Sequence, residues 1–285
     1  MAEWSNEQAT LQAIARAGGS PIHSAAYHGD VEALRRELDG HVPVNATLTE
    51  PIDGDRGLTP LHVLIARWLD IGAPARVACF ELLRAAGADM DVATADEGVR
   101  PIHYAAVDFN PETISLLLKA GADPTATSIS DITPLHFLAF LPAILEQAEN
   151  PYNTHPTSGD ITRCVSLLVQ AGAAVDARAP DGLTPLEHAV NQGSRVAYAG
   201  LLCAGAAIPS NTADPYLRRV RAAGGYAAYR RCHLDRLTRM FTAPPVPNDG
   251  RRRSRRLHRR GGSLERLPPE IVMRVVDFWA HAGHY

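Results

Sequence analysis

The sequence predicts an all-α protein in which short helix–turn–helix units are stacked along the chain. One observation is a tetrapeptide of the pattern Thr/Ser/Arg-Pro-Leu/Ile-His/Glu, which opens five segments of the 285-residue chain. These openings begin at Ser20, Thr59, Arg100, Thr133 and Thr184. A second observation is an Ala-Gly-Ala element that closes four of the segments, at residues 86–88, 120–122, 171–173 and 204–206. Two signatures that recur in a constant order indicate one supersecondary unit repeated along the chain.

The best-preserved unit, residues 100–123, shows why each half is expected to be helical. Pro101 and Pro111 suit the first turn of a helix, where the missing N–H costs nothing. Gly121 stands where the second helix must stop, at a position suited to a left-handed backbone. The apolar positions between these residues fall on one face of each helix: Ile102, Ala105 and Ala106 in the first, and Ile114, Leu117 and Leu118 in the second.

These motifs resemble the ankyrin repeat, whose signature is Thr-Pro-Leu-His-x-Ala followed by an ending of the form Leu-Leu-Leu-x-x-Gly-Ala-Asp. The resemblance implies a solenoid of about five repeats over residues 20–207. The second and fourth copies are longer than the third and fifth between opening and ending, which predicts insertions in both. Turn residues in the fourth insertion predict a long loop at 146–160, and another long connection is expected at 45–57.

The segments on either side of the repeats differ from the middle, as the ends of a stack require. Residues 1–19 read as an N-terminal cap helix that begins with a capping box at Ser5. Residues 208–242 are expected to be a degenerate repeat or a helical cap. Residues 243–262 form a linker rich in proline and arginine, and residues 263–285 are a separate terminal segment.

The residues that could carry chemistry favour a structural role. We predict that the histidines of the repeat openings, His23, His62, His103 and His136, bond the Ser or Thr hydroxyl and nearby backbone, and so order the turns between repeats. Cysteines 79, 164, 203 and 232 lack the spacing of a metal site or disulfide framework, which favours a reducing intracellular compartment. With no phosphate-binding glycine loop or nucleophile elbow, we expect no catalytic residue, cofactor, metal or small-molecule substrate.

The formal net charge of −3 hides a strong asymmetry along the chain. From Arg218 onward there are 16 arginines and 5 carboxylates, so the preceding residues are strongly acidic. The two parts are therefore expected to attract different partners, or each other. Lys119 is the only lysine, which either a GC-rich genome or selection against self-modification would explain.

Seven arginines are concentrated in residues 251–260: Arg251, Arg252, Arg253, Arg255, Arg256, Arg259 and Arg260. A solvated linker, a nuclear localisation signal and a nucleic-acid contact all remain open for this tract. Because no aromatic residues are interleaved to stack on bases, nucleic acid is the least favoured of the three.

The terminal segment has the pattern of an amphipathic helix that starts at Pro268 and Pro269. It resembles the opening of an F-box, Leu-Pro-x-Glu-Ile/Leu-Leu-x-x-Ile-Phe-x-x-Leu, over about half of that module. The resemblance implies that eight residues bind the Skp adaptor of a cullin–RING ubiquitin ligase. They are Leu267, Pro268, Glu270, Ile271, Val272, Val275, Val276 and Trp279.

The order of the two modules, repeats first and a shortened F-box last, is similar to that of poxvirus ankyrin proteins with a C-terminal PRANC element. The cellular competitor, a SOCS box, requires Leu-Cys and Leu-Pro-Leu-Pro elements that this sequence matches poorly. The resemblance implies a viral, host-modulating adaptor located in the host cytoplasm, with the nucleus as an alternative. No apolar run is long enough to cross a bilayer, so no membrane partner is expected.

The leading hypothesis is therefore a substrate-recruiting subunit of a ubiquitin ligase, with the repeats holding an unidentified target protein. Target contacts are expected from residues just before the repeat openings, where the turn tips of a solenoid lie. These candidates are Asp53, Asp55, Arg56, Asp96, Glu97, Ser130, Asp131 and Asp181. The alternative hypothesis is a non-catalytic inhibitor or scaffold, similar to the IκB family, that sequesters a host signalling protein without ubiquitin transfer.

Overall fold

The described part of the chain is entirely helical apart from turns and loops. The computed structural model describes residues 19–49, 56–66, 73–147 and 157–232, together with Ile14 and Asp235. The predicted N-terminal cap helix, the linker at 243–262 and the F-box-like segment at 263–285 lie outside these residues, except for Ile14 and Gly19 of the cap. The boundaries predicted for these flanking segments therefore stay predictions.

The first ten helices form five pairs, and each pair begins at one of the five repeat openings. In chain order they are α1 (Pro21–His28), α2 (Val31–Asp39), α3 (Pro60–Ala66), α4 (Ala73–Ala85), α5 (Pro101–Val107), α6 (Pro111–Lys119), α7 (Pro134–Gln147), α8 (Ser158–Gln170), α9 (Pro185–Gln192), α10 (Arg195–Cys203) and α11 (Pro215–Ala222). Residues 226–232 are helical as well.

The first helices of successive pairs pack against one another, as do most of the second helices. The inner row is α1, α3, α5, α7 and α9, each in contact with the next. In the outer row, α2 contacts α4, and α6 contacts α8, which contacts α10. These two rows make one compact unit that ends at Ala207, and a second unit begins at Ile208.

Proline starts the inner helices and glycine follows the outer ones, as the sequence predicts. Each inner helix has proline as its first residue. At the start of α6, Asn110 Oδ1 accepts hydrogen bonds from the N–H groups of Glu112 (2.9 Å) and Thr113 (3.2 Å). Gly121 follows α6 with φ +99°. A left-handed residue at this position lets the chain turn away from the helix without a Cβ clash.

The core lies between the two rows of helices. In the third pair, Ile102, Ala105, Ile114 and Leu117 are all fully buried, which confirms the predicted apolar faces. Leu118, which the pattern also assigned to the core, is only half-buried. Each fully buried leucine or isoleucine contributes about 1.5–3 kcal/mol relative to an exposed one.

The predicted loop at 146–160 is wrong at both ends. Residues Glu146 and Gln147 continue α7, whereas Ser158–Asp160 already belong to α8. The start of α8 is capped by Thr157, whose Oγ1 accepts from Asp160 N at 3.1 Å. The fourth insertion therefore lengthens both helices of its repeat, and α7 even accommodates Pro142 in its interior.

Candidate protein-binding surface

Each opening histidine holds its own turn through Nδ1. Ser20 Oγ lies 3.1 Å from His23 Nδ1, Thr59 Oγ1 lies 2.9 Å from His62 Nδ1, and Thr133 Oγ1 lies 2.8 Å from His136 Nδ1. In the third repeat the opening residue is Arg100, which has no hydroxyl, so its backbone N–H donates to His103 Nδ1 at 3.1 Å. The predicted structural role of these histidines is confirmed.

The other ring nitrogen of three of these histidines reaches the next repeat. The acceptor each time is the carbonyl of the residue just before the next opening. His23 Nε2 lies 3.2 Å from Leu58 O, His103 Nε2 lies 3.2 Å from Ile132 O, and His136 Nε2 lies 3.3 Å from Leu183 O. A single imidazole thus joins a turn in one repeat to the loop of the following one.

Aromatic rings on the inner helices continue this row. Tyr104 packs edge-on against His62 at a centroid distance of 5.5 Å, and Phe137 packs likewise against His103 at 5.7 Å. His188 stands in the same relation to His136, at 5.3 Å. In the third, fourth and fifth repeats, the residue after the opening tetrapeptide therefore packs on the histidine of the preceding repeat.

Burial favours the neutral form of the opening histidines. Loss of solvent lowers the pKa of His62 and of His103 to about 4, although neighbouring backbone carbonyls oppose the shift in part. Burial also lowers the pKa of His23 and His136 below the ordinary value. These rings are buried and bonded into the scaffold, and so they are poorly placed to act as acids, bases or metal ligands.

The fifth repeat replaces histidine with Glu187. Thr184 N donates to Glu187 Oε2 at 2.9 Å, and Glu187 N donates to Thr184 Oγ1 at 3.3 Å. This reciprocal pair is a capping box, so the helix start is still satisfied.

The loops before the openings are hairpin-like, and those before Thr59, Arg100 and Thr133 are joined to one another. Each is closed by a backbone hydrogen bond, from Thr94 N to Val99 O at 3.0 Å and from Ser128 N to Ile132 O at 3.1 Å, for example. Neighbouring tips are linked by hydrogen bonds from Ala95 N to Arg56 O (2.7 Å) and from Ile129 N to Glu97 O (2.8 Å). We call the exposed side chains at residues 56, 96–97 and 129–131 the tip ridge.

Two predicted target-binding residues are paired with each other. The Arg56 guanidinium donates to both carboxylate oxygens of Asp96, with Nη2 2.6 Å from Oδ1 and Nε 2.9 Å from Oδ2. This hydrogen bonding lowers the pKa of Asp96 below its ordinary value. Both side chains remain partly exposed, so the pair also ties two repeats together at the surface.

The remaining candidates are exposed in the structure or lie outside its described residues. Glu97, Ser130 and Asp131 are exposed on the tip ridge. Asp181 is exposed on the next loop, where its Oδ2 lies 3.3 Å from His188 Nε2. Asp53 and Asp55, the eight F-box-like residues and the seven arginines of 251–260 lie outside the described residues. All of these assignments stay predictions.

Ile129 is a surface residue that the sequence reasoning missed. Its side chain is 67% exposed, although large apolar side chains elsewhere in the described repeats are mostly buried. The available signal was an isoleucine between two serines in a turn.

The outer helices carry a shallow groove of about 460 Å³. Val77, Leu116 and Leu167 supply apolar walls, while Lys119 and Arg163 add positive charge. Val77 is 38% exposed.

The described residues hold no cluster of three or more potential metal ligands. Burial raises the pKa of Cys79 to about 11 and that of Cys164 to about 12, which leaves both thiols unreactive.

Comparison with known proteins places the same motifs in one repeat family. Residues 102–140 match the family model described as ankyrin repeats (many copies). The chicken (Gallus gallus) nuclear factor NF-kappa-B p105 subunit is 29% identical over 132 residues, which are 46% of this chain and 12% of p105. The chain contains ankyrin repeats.

Two further relatives match these ankyrin repeats over shorter stretches. The regulatory protein NPR5 of Arabidopsis thaliana is 33% identical over 98 residues, covering 34% of this chain and 20% of NPR5. The human (Homo sapiens) BCL-6 corepressor-like protein 1 is 40% identical over 80 residues, covering 28% of this chain and 4% of that protein. The chain thus spans a fifth or less of the length of each relative named here.

Ankyrin repeats bind proteins, because a stacked array offers loops and inner helices as one extended surface. The joined tips and the aromatic row of the inner helices occupy the corresponding places in this chain. A helix with the length and hydropathy needed to span a membrane is not found among the described residues.

Proposed function

We propose that this protein is a substrate-recruiting adaptor of a cullin–RING ubiquitin ligase. Its ankyrin repeats hold a target protein, and residues Leu267–Trp279 bind the Skp adaptor. The ligase machinery supplies the chemistry, so the chain needs no reactive residue of its own. Holding the target near the transferring enzyme raises its effective concentration there, which is sufficient for modification.

The observation that carries the target-binding half is the tip ridge. Its loops are hydrogen-bonded to one another, and therefore little conformational entropy is lost when a partner binds. The Skp-binding half is supported by the Leu267-Pro268-Pro269-Glu270-Ile271 sequence and by the amphipathic pattern that follows it. The host cytoplasm is the proposed location, with the nucleus as the alternative if the arginine tract is a transport signal.

The test is capture of endogenous Skp and cullin by the full chain and by a Leu267→Ala/Ile271→Asp variant. Arg274→Ala is the matched control, because this residue lies in the same segment at a position that the F-box pattern leaves free. Recruitment predicts that the first variant loses both proteins while the control retains them. Absence of Skp from all three captures would refute the ligase role.

The second candidate function is a stoichiometric inhibitor or scaffold that masks a signalling protein without ubiquitin transfer. The similarity to the NF-kappa-B p105 subunit is the observation that favours it. The two functions differ in the fate of the target. An adaptor lowers the target's half-life in a manner that depends on Leu267 and Ile271, whereas an inhibitor leaves the half-life unchanged.

A further inference from the structure

We propose that the tip ridge recognises a basic protein segment that carries an aliphatic or aromatic side chain, with Ile129 as the apolar anchor and Glu97 and Asp131 as its charged flank. This inference rests on target binding by the repeats, and it specifies the chemistry of the partner.

The anchor is held in place by the loop of the preceding repeat. Ile129 N donates to Glu97 O, and the side chain lies over Gly98. A Cβ at residue 98 would lie 2.8 Å from Ile129 Cγ1, which is too close for a normal contact. Glycine at this position therefore leaves room for the isoleucine side chain. The exposed apolar group is therefore presented by a fixed backbone, and a partner that covers it removes apolar surface from water at little ordering cost.

The charges around the anchor are negative. Glu97 precedes the glycine beneath Ile129, and Asp131 follows two residues after Ile129 in the same turn. The cation of the tip ridge, Arg56, donates to both oxygens of Asp96 and so adds little positive potential. An apolar centre flanked by carboxylates fits a partner that surrounds an apolar side chain with lysine or arginine.

The same charges argue against phosphate-bearing partners. A nucleic acid or an anionic membrane would bring negative charge against Glu97 and Asp131, which costs free energy at short range. The ridge therefore favours a protein, and among protein segments it favours basic ones.

The experiment is a selection of displayed random 16-residue peptides on the full-length chain. We expect enriched peptides to carry net positive charge together with at least one large apolar residue. Their binding should weaken tenfold or more with Ile129→Ser and with Glu97→Gln/Asp131→Asn, and it should fall as salt is raised. Asn tolerates the left-handed backbone of residue 131 (φ +50°), so the second variant keeps the turn.

Two control variants match these changes on another face of the same unit. Val77→Ser removes the exposed valine of α4, and Glu32→Gln/Glu37→Gln removes two charges from α2. Both should bind the selected peptides as the parent chain does. The proposal would be overturned if the selection enriched acidic or neutral peptides, or enriched none. It would also be overturned if the ridge variants kept peptide binding, or if the control variants lost as much of it. If the full chain fails to capture Skp, the ligase role fails but the peptide result stands, because residues 263–285 are not part of the tip ridge.

Discussion

The buried histidines of the repeat openings should make stability depend on pH in a defined direction. In the folded chain the pKa of His62 is about 4, whereas the unfolded chain titrates near the ordinary value of 6.5. The folded state therefore favours the neutral ring. The contribution of neutral His62 to the free energy of unfolding is complete above pH 6.5. It is lost as the pH falls towards 4, because the unfolded chain then binds a proton that the folded chain does not.

The magnitude follows from the difference between the two pKa values. A difference of one pKa unit is worth about 1.36 kcal/mol, so neutral His62 contributes about 3 kcal/mol to the free energy of unfolding. About 2 kcal/mol of this contribution is lost between pH 7.5 and pH 5. His103 has a pKa of about 4 for the same reason and should contribute a similar amount.

The assay compares the parent chain with His62→Gln by urea denaturation at pH 7.5, 6 and 5. Glutamine can accept the Thr59 N–H bond at this position, much as Glu187 accepts the equivalent bond in the fifth repeat, but it does not titrate. The parent should lose about 2 kcal/mol more than the variant on going from pH 7.5 to pH 5. His28→Gln, a change at an exposed histidine of α1, is the control and should follow the parent.

Parallel stability profiles for the parent and His62→Gln would refute this reasoning. They would mean that the ring is already protonated in the fold, or that acid opens the second repeat before the imidazole titrates.

Three further predictions concern the scaffold, and urea denaturation of the full chain measures each. Gly98→Ala should lower the free energy of unfolding by about 1–3 kcal/mol more than Gly87→Ala does. Both glycines have positive φ, but only at residue 98 would a Cβ clash with Ile129, so equal costs would contradict the close approach. Asn110→Ala should cost about 1 kcal/mol through loss of two cap hydrogen bonds, and Asn110→Asp should restore most of it. Leu117→Ala should cost roughly 2–5 kcal/mol because the side chain is fully buried between the helix rows, and a cost below 1 kcal/mol would speak against that packing.

The sequence alone predicts the helices well, because their limits depend on local chemistry. Pro101 and Pro111 begin helices for a reason that involves only the first turn, and Gly121 follows α6 because a left-handed residue is needed there. The histidine contacts within each turn are equally local. They join residues three apart and so can be read from the tetrapeptide.

What the sequence does not reveal depends on residues that are distant along the chain. Arg56 and Asp96 are 40 residues apart, and their pairing follows from the stacking of two loops. The exposure of Ile129 also depends on Gly98 of the preceding loop. The ends of the 146–160 segment were predicted wrongly because its turn residues outweighed the helical pattern on either side, which α7 and α8 in fact extend.

The substitution of Glu187 for histidine has a consequence for building longer arrays. Duplicating the first or third repeat would copy an imidazole whose Nε2 can bond the next repeat across the new junction. A copy of the fifth repeat would bring the carboxylate of Glu187 in place of an imidazole. That carboxylate already accepts the Thr184 N–H of its own turn. Repeats inserted before the fifth repeat should therefore couple well to their neighbours. Repeats added after it should be only loosely coupled to the array.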